Sequence, residues 1–172
     1  MFFLISIAFG TPSDLPSGEC ANEVASTTQD SGKELYTNHC AGCHQADGSG
    51  EDNYFPPVVG TPWVESPTAL TNVLLRGVSG TIHVNDKRYA SYMSPYGKEM
   101  SNAELLLLIN YVRHELNNYP STTDWTIETI SQIRTDIEEQ GNQTIRGQSG
   151  LDALLTEDMT SPKTMSPKTI SD

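Results

Sequence analysis

Two of the three cysteines in this 172-residue chain sit two residues apart, in Cys40-Ala41-Gly42-Cys43, and His44 follows directly. No other feature limits the possible folds as much. Three chemistries use a C-x-x-C pair: a zinc site, a thiol redox centre and covalent attachment of haem. A closed zinc site needs four ligands. The only other cysteine, Cys20, lies in a Pro/Ser/Thr-rich stretch, and His39, His83 and His114 lack the H-x₃₋₅-H spacing of such sites among themselves. A thioredoxin-like pair belongs to a strand–turn–helix unit of a βαβ sheet. Here the pair ends a helical pattern in a chain with little strand signal. Covalent haem uses every residue of the motif. Each thiol adds across one haem vinyl group, and the next residue, His44, is carried beneath the ring, where its imidazole reaches iron. Cys40 and Cys43 are therefore the expected attachment points and His44 the expected iron ligand.

Haem c iron takes a sixth ligand, mainly His or Met, and the choice sets the potential. Met93 lies in "YASYMSPYG", a loop with Pro and Gly just before the last helical pattern. Met100 precedes Ser101, which forms a capping box with Glu104; with Leu105 it makes a hydrophobic staple and so has a structural role. Met159 and Met165 fall in the C-terminal tail. Elimination leaves Met93, with His83 as the alternative ligand.

The remaining patterns set the organisation. Residues 1–10 are apolar through Phe9 and read as an export leader, with Ala8 and Gly10 as small residues at a cleavage site. Residues 11–30 read as a flexible linker, with Cys20 a free or intermolecular thiol. A capping box of Ser31 and Glu34 opens a helix that runs to the cysteine pair. Ser66-Pro67 caps a second helix bearing Leu70, Val73 and Leu74 on one face, and Gly77 closes it. Ile82 and Val84 alternate around His83 and predict a hairpin turning near Asn85-Asp86. The Ser101 helix ends near Asn117-Asn118, ahead of Pro120. Trp125, Ile127, Ile130, Ile133 and Ile137 form one helical stripe over 124–139, expected to pack on the domain or on a partner subunit. The domain is thus 31–119, an amphipathic extension is 120–140, and 141–172 reads as an acidic, disordered tail.

Ten Lys and Arg against 22 Asp and Glu give a net charge of −12, which argues against a nucleic-acid partner. The ends hold most of the excess: residues 1–32 carry four acids and no Lys or Arg, whereas 33–119 carry nine acids against six bases.

Four stretches occur in order: "GKELYTNHCAGCHQADGSG", "YFPPVVGTPW", "YASYMSPYG" and "LLLLINYVRHEL". Over about residues 31–119 the chain resembles a class I c-type cytochrome, the soluble monohaem family. The resemblance implies an all-α fold: a small helical bundle around one covalently bound haem c, here with a C-terminal helical extension. It implies a close crossing of the first and last helices, with Gly32 and Tyr36 against Leu108 and Tyr111. It also implies that a proline carbonyl accepts the proton on the ligand histidine's other nitrogen; Pro57 is expected, ahead of Pro56. The family often has proline directly after the ligand methionine, whereas Ser94 here separates Met93 from Pro95. Arg76, Tyr89 and Tyr92 are candidates for contacts with the haem propionates.

The implied function is electron transfer between a donor and an acceptor redox protein, in an exported protein of the periplasm or the outer face of the cytoplasmic membrane. A second reading is an electron-entry subunit of a larger membrane or periplasmic complex, with a terminal oxidase or a quinoprotein dehydrogenase as partner. A third is a haem sensor or peroxidase with an open iron site.

Overall fold

The computed structural model describes residues 31–120 and 125–160. The leader, the linker and Cys20 lie outside these residues, as does Met165. Helix α1 covers 31–39 and is followed by one further turn, α2 (Ala41–His44). Ser31 is itself helical, so it does not occupy the cap position expected of it. After an irregular loop come α3 (Pro62–Glu65) and α4 (Pro67–Arg76). The Ser66 hydroxyl accepts from the Ala69 N–H at 3.1 Å, and Pro67 occupies the first turn, where its missing N–H costs nothing.

Strands β1 (Val78–Ser79), β2 (Ile82–Val84) and β3 (Lys87–Tyr89) follow. β2 and β3 pair antiparallel, with Ile82 opposite Tyr89. Asn85 and Asp86 join them with φ of 51° and 61°, the two left-handed residues that a tight hairpin turn needs. Helix α5 (Asn102–Asn110) begins at a complete capping box, with the Ser101 hydroxyl accepting from the Glu104 N–H and the Glu104 carboxylate accepting from the Ser101 N–H. It continues through Tyr111–Leu116 with wider, π-type turns, which the sequence pattern did not foretell.

α1 crosses α5 closely. A Cβ on Gly32 would stand 2.6 Å from the Leu107 carbonyl oxygen and 2.9 Å from Tyr111 Cβ, and the rings of Tyr36 and Tyr111 lie 5.5 Å apart. The backbone contact is thus with Leu107 rather than Leu108. Tyr36, Leu70, Leu74, Leu105, Leu108 and Met100 belong to one buried cluster. Met100 is 4% exposed and Leu105 fully buried, as a staple requires.

The chain after Pro120 departs from expectation in two respects. Helix α6 (Ile127–Glu139) forms, starting three residues later than the stripe suggested, with Thr126 as its cap. Ile130 and Ile137 are buried in the main cluster, and Trp125 and Ile133 pack against it, so the stripe is consumed by its own domain. The tail, read as disordered, is structured as far as residue 160. β4 (Ile145–Arg146) pairs parallel with β1, and α7 (Gly147–Thr160) buries Leu151 and Leu154 in a second cluster with Ala69 and Val78. The all-helical expectation therefore holds only in part: helices dominate, with two short strand pairs. Among the described residues no helix is long and apolar enough to cross a membrane.

The burial difference along α6 makes a direct test. Ile130→Ala should lower unfolding free energy by about 2–5 kcal/mol in a denaturant titration. Ile127, 43% exposed, should tolerate alanine within about 1 kcal/mol.

Candidate haem site

The short turn α2 explains the spacing of the motif. The Cys43 and His44 N–H groups both donate to the Cys40 carbonyl, at 3.1 and 2.8 Å. Positions one, four and five of such a turn share a face. The thiols of Cys40 and Cys43 and the ring of His44 all line one cleft. The two thiols are not bridged to each other. Cys40 is buried and Cys43 exposed. Burial, and secondarily the neighbouring Cys43, pushes the Cys40 thiol up to about 12.

His44 is held from one side. Its Nδ1 lies 2.8 Å from the Pro56 carbonyl oxygen. A carbonyl oxygen only accepts, so Nδ1 carries the proton and Nε2 keeps its lone pair. Burial lowers the His44 pKa and the bond to Pro56 opposes this, the burial effect being the larger. The ring is therefore neutral and competent as a ligand near neutral pH. The proline is Pro56, not the expected Pro57. A backbone bridge between Glu51 and Phe55 closes the turn of this loop, so the next carbonyl, that of Pro56, is the one beside the ring. Both Pro56 and Pro57 line the cleft.

Met93 faces the same cleft from a different part of the chain. Its backbone is pinned to β1: the Met93 N–H donates to the Val78 carbonyl at 2.8 Å, and the Val78 N–H donates back at 3.0 Å. Gly77 makes this approach possible. It ends α4 at φ 65°, and a Cβ there would collide with the Met93 carbonyl oxygen and stand 2.8 Å from Pro95 N. The proline two residues after Met93 thus packs where the α4 helix stops. The Tyr96 N–H donates to the Leu74 carbonyl at 2.7 Å, and its hydroxyl to the His39 carbonyl at 2.8 Å, tying the same segment to α4 and α1.

Met100 is in the core and does not line the cleft; exposed His83 does not line it either. Tyr89 and Tyr92 do, the first buried and the second 61% exposed at the rim. Arg76 does not. Its Nε donates to the Gln143 carbonyl at 2.8 Å, at the start of the structured tail. The sequence reading passed over Trp63, Phe55, Tyr96 and Leu151, which also line the cleft. Trp63 and Phe55 stand within the quoted "YFPPVVGTPW", and that proline-punctuated aromatic pattern was the available signal.

The cleft is open to solvent on one side and has a volume of about 230 Å³. Its wall is mainly aliphatic and aromatic, including Val64, Leu70, Leu74, Leu108 and Val112. The Trp63 indole N–H is buried without a protein acceptor, a donor left for a polar group of something bound there. Among the described residues no group of three or more His, Cys, Asp or Glu could hold a bare metal ion. Two thiols, one imidazole with a free Nε2 and one thioether around a mainly apolar, open slot suit a metal inside a planar macrocycle.

Residues 29–115 match the sequence profile of the family described as Cytochrome c. The chain belongs to the cytochrome c family. This cytochrome is 34% identical over 108 residues to the cytochrome c subunit of a quinone alcohol dehydrogenase from Gluconobacter oxydans, a match covering 60% of this chain and 22% of that protein. It is 33% identical over 91 residues to cytochrome c-552 of Thermus thermophilus, covering 49% of this chain and 66% of that protein. A fructose dehydrogenase cytochrome subunit from Gluconobacter japonicus is 28% identical over 122 residues, covering 66% of this chain and 24% of that protein. The chain thus spans less than a quarter of the length of either dehydrogenase subunit. Family membership carries haem c as the covalently bound cofactor and electron transfer as the role.

The dependence of the Met93 segment on Gly77 can be measured. Gly60 also has positive φ, at 67°, but a Cβ there would meet nothing within 4 Å. Gly60→Ala should cost about 1 kcal/mol of backbone strain. Gly77→Ala should cost more, about 2–4 kcal/mol in denaturant unfolding, because strain and collision add.

Proposed function

We propose that the cleft holds one haem c, with Cys40 and Cys43 supplying the two thioether sulfurs and His44 Nε2 and Met93 Sδ filling the axial positions. Each thioether forms by addition of S–H across a vinyl group, so no atom leaves. Haem supplies a one-electron Fe(III)/Fe(II) couple, which the protein tunes and presents to partners. Pro56 orients His44 and raises its basicity. A thioether ligand and an apolar pocket favour the reduced state and raise the potential. With both axial positions taken by side chains, the chain is a carrier of electrons rather than a sensor or peroxidase. The observation that carries this reading is the convergence on one cleft of the α2 turn and Met93, 49 residues beyond His44 in sequence.

Export to the periplasm or the outer face of the cytoplasmic membrane belongs to the same reading. It rests on the apolar run of residues 1–10. The dehydrogenase relatives favour a second reading, in which the chain passes electrons as a cytochrome subunit of a dehydrogenase complex. The isoleucine stripe of α6, which suggested a partner face, gives this no support, since the stripe is buried at home. Tyr92 and Tyr54, 61% and 63% exposed, are with Ile127 the exposed large hydrophobic residues among those described, and Tyr92 is on the cleft rim. With a net charge of −12, the favoured donor or acceptor presents a basic patch.

Matured protein should keep its colour through a denaturing gel stained for haem peroxidase activity, and the Cys40→Ser/Cys43→Ser double variant should lose it. Colour lost by the unaltered protein would end this reading. Met93→His, which retains six ligands, should lower the reduction potential. Electron transfer with a basic partner should slow steadily as salt rises, as seen in stopped-flow rates.

A further inference from the structure

The extension beyond residue 125 lies wholly outside the family match at 29–115, yet it grips the segment that carries Met93. That segment, between β3 and α5, has no helix; within the domain it is held by the Met93–Val78 bridge and by the Tyr96 bonds to Leu74 and His39. Residues of the extension hold it, or hold what it rests on, at three places.

The first is α6. Arg134 donates from Nε to Asn102 Oδ1 at 2.8 Å, from one terminal nitrogen to the Met100 carbonyl at 3.0 Å, and from the other to the Gly97 carbonyl. One guanidinium thus closes the end of the Met93 segment against the start of α5. Its planar fork suits three acceptors in fixed directions. The second is β4. Val78 gives both its backbone groups to Met93, and on the opposite edge of β1 the Ile145 N–H donates to the Gly77 carbonyl at 3.1 Å. β1 is therefore held between Met93 and β4. The third is α7. The Gln148 N–H donates to the Thr81 carbonyl at 3.2 Å, its side-chain oxygen accepts from the His83 N–H at 2.8 Å, and Leu151 reaches the cleft wall.

We propose that residues 125–156 act as an in-chain clamp, in which Arg134 and β4 position the Met93 segment so that its sulfur resists displacement by an outside ligand. This rests on Met93 being the iron ligand. A sulfur on an untied loop would exchange with small ligands that reach the cleft; one held in place in advance meets the metal at little further entropic cost. Arg134, Ile145 and Gln148 are positioning residues, acting through the backbone of others.

The test uses full-length, haem-loaded protein and free imidazole as the competing ligand for ferric iron. Four variants are compared with the unaltered chain: Arg134→Ala; Ile145→Pro, which deletes the N–H to Gly77; Met93→Ala; and Glu138→Gln, on the exposed face of α6, as control. Imidazole should bind Arg134→Ala, which loses three bonds from a charged donor, at least about tenfold more tightly than the unaltered protein, and Ile145→Pro, which loses one neutral backbone bond, severalfold more tightly. The weak sulfur-to-iron charge-transfer band should fade in both, while Glu138→Gln matches the unaltered protein. If Ile145→Pro does not fold, Gln148→Ala, which removes only exposed contacts, takes its place. A fall in melting temperature with unchanged imidazole affinity and an unchanged band would reduce the extension to a stabilising element and overturn the clamp. If Met93→Ala itself keeps the band and the original affinity, the ligand assignment is what has failed. If Met93→Ala loses the band while the clamp variants keep it, the assignment stands and the clamp alone is wrong.

Discussion

The hydrogen bond from His44 Nδ1 to the Pro56 carbonyl is the contact on which the site depends. It selects the tautomer, leaves Nε2 as the lone-pair nitrogen and fixes the plane of the ring. It also ties the loop after the motif to the turn that carries the motif. That loop is long and punctuated by Gly and Pro, and the bond gives it a reason to fold back. Around this bond the single turn at Cys40–His44 presents two sulfurs and a nitrogen in one direction. Met93 lines the same cleft, positioned by backbone pairing with Val78.

Local signals in the sequence were legible wherever a few adjacent residues decide the outcome. The Ser66 and Ser101 caps formed as read, and so did the Asn85-Asp86 turn. These depend on side-chain oxygens reaching nearby N–H groups and on residues that tolerate positive φ. The site residues Cys40, Cys43, His44 and Met93 meet at one cleft, since motif spacing and elimination among five methionines are local arguments too. Failures arose where the deciding partner is distant. Arg76 was a reasonable anion contact until Gln143, 67 residues on, claimed its Nε. β4 is two residues long and exists only because β1 offers it an edge. The residues of α7 form a weak apolar stripe that reads as a solvated tail, and burial of Leu151 and Leu154 appears only once Ala69 and Val78 are in place. The shift from Pro57 to Pro56 is of another kind: one residue of loop geometry, invisible to pattern.

The extension changes the meaning of the isoleucine stripe. A stripe of that kind beside a small domain invites the idea of a subunit interface. Here Ile130 and Ile137 complete the domain's own core, and the polar face of α6 is what remains outward. The relatives named as dehydrogenase subunits are several times longer than the matched region, so their likeness concerns the electron-carrying unit. On the proposed reading, the cleft rim with Tyr92, set in a strongly acidic chain, is the face offered to a redox partner.

The central claim is that one porphyrin is bonded to the polypeptide through Cys40 and Cys43. Tryptic cleavage after Lys33 and Arg76 releases a peptide, Glu34–Arg76, that holds both cysteines and His44 but not Met93. Mass spectrometry of that peptide from matured protein, after alkylation under denaturing conditions, tests the claim directly. The account predicts a peptide heavier by one intact haem, with neither cysteine alkylated. A peptide of unmodified mass with both cysteines open to alkylation would contradict it.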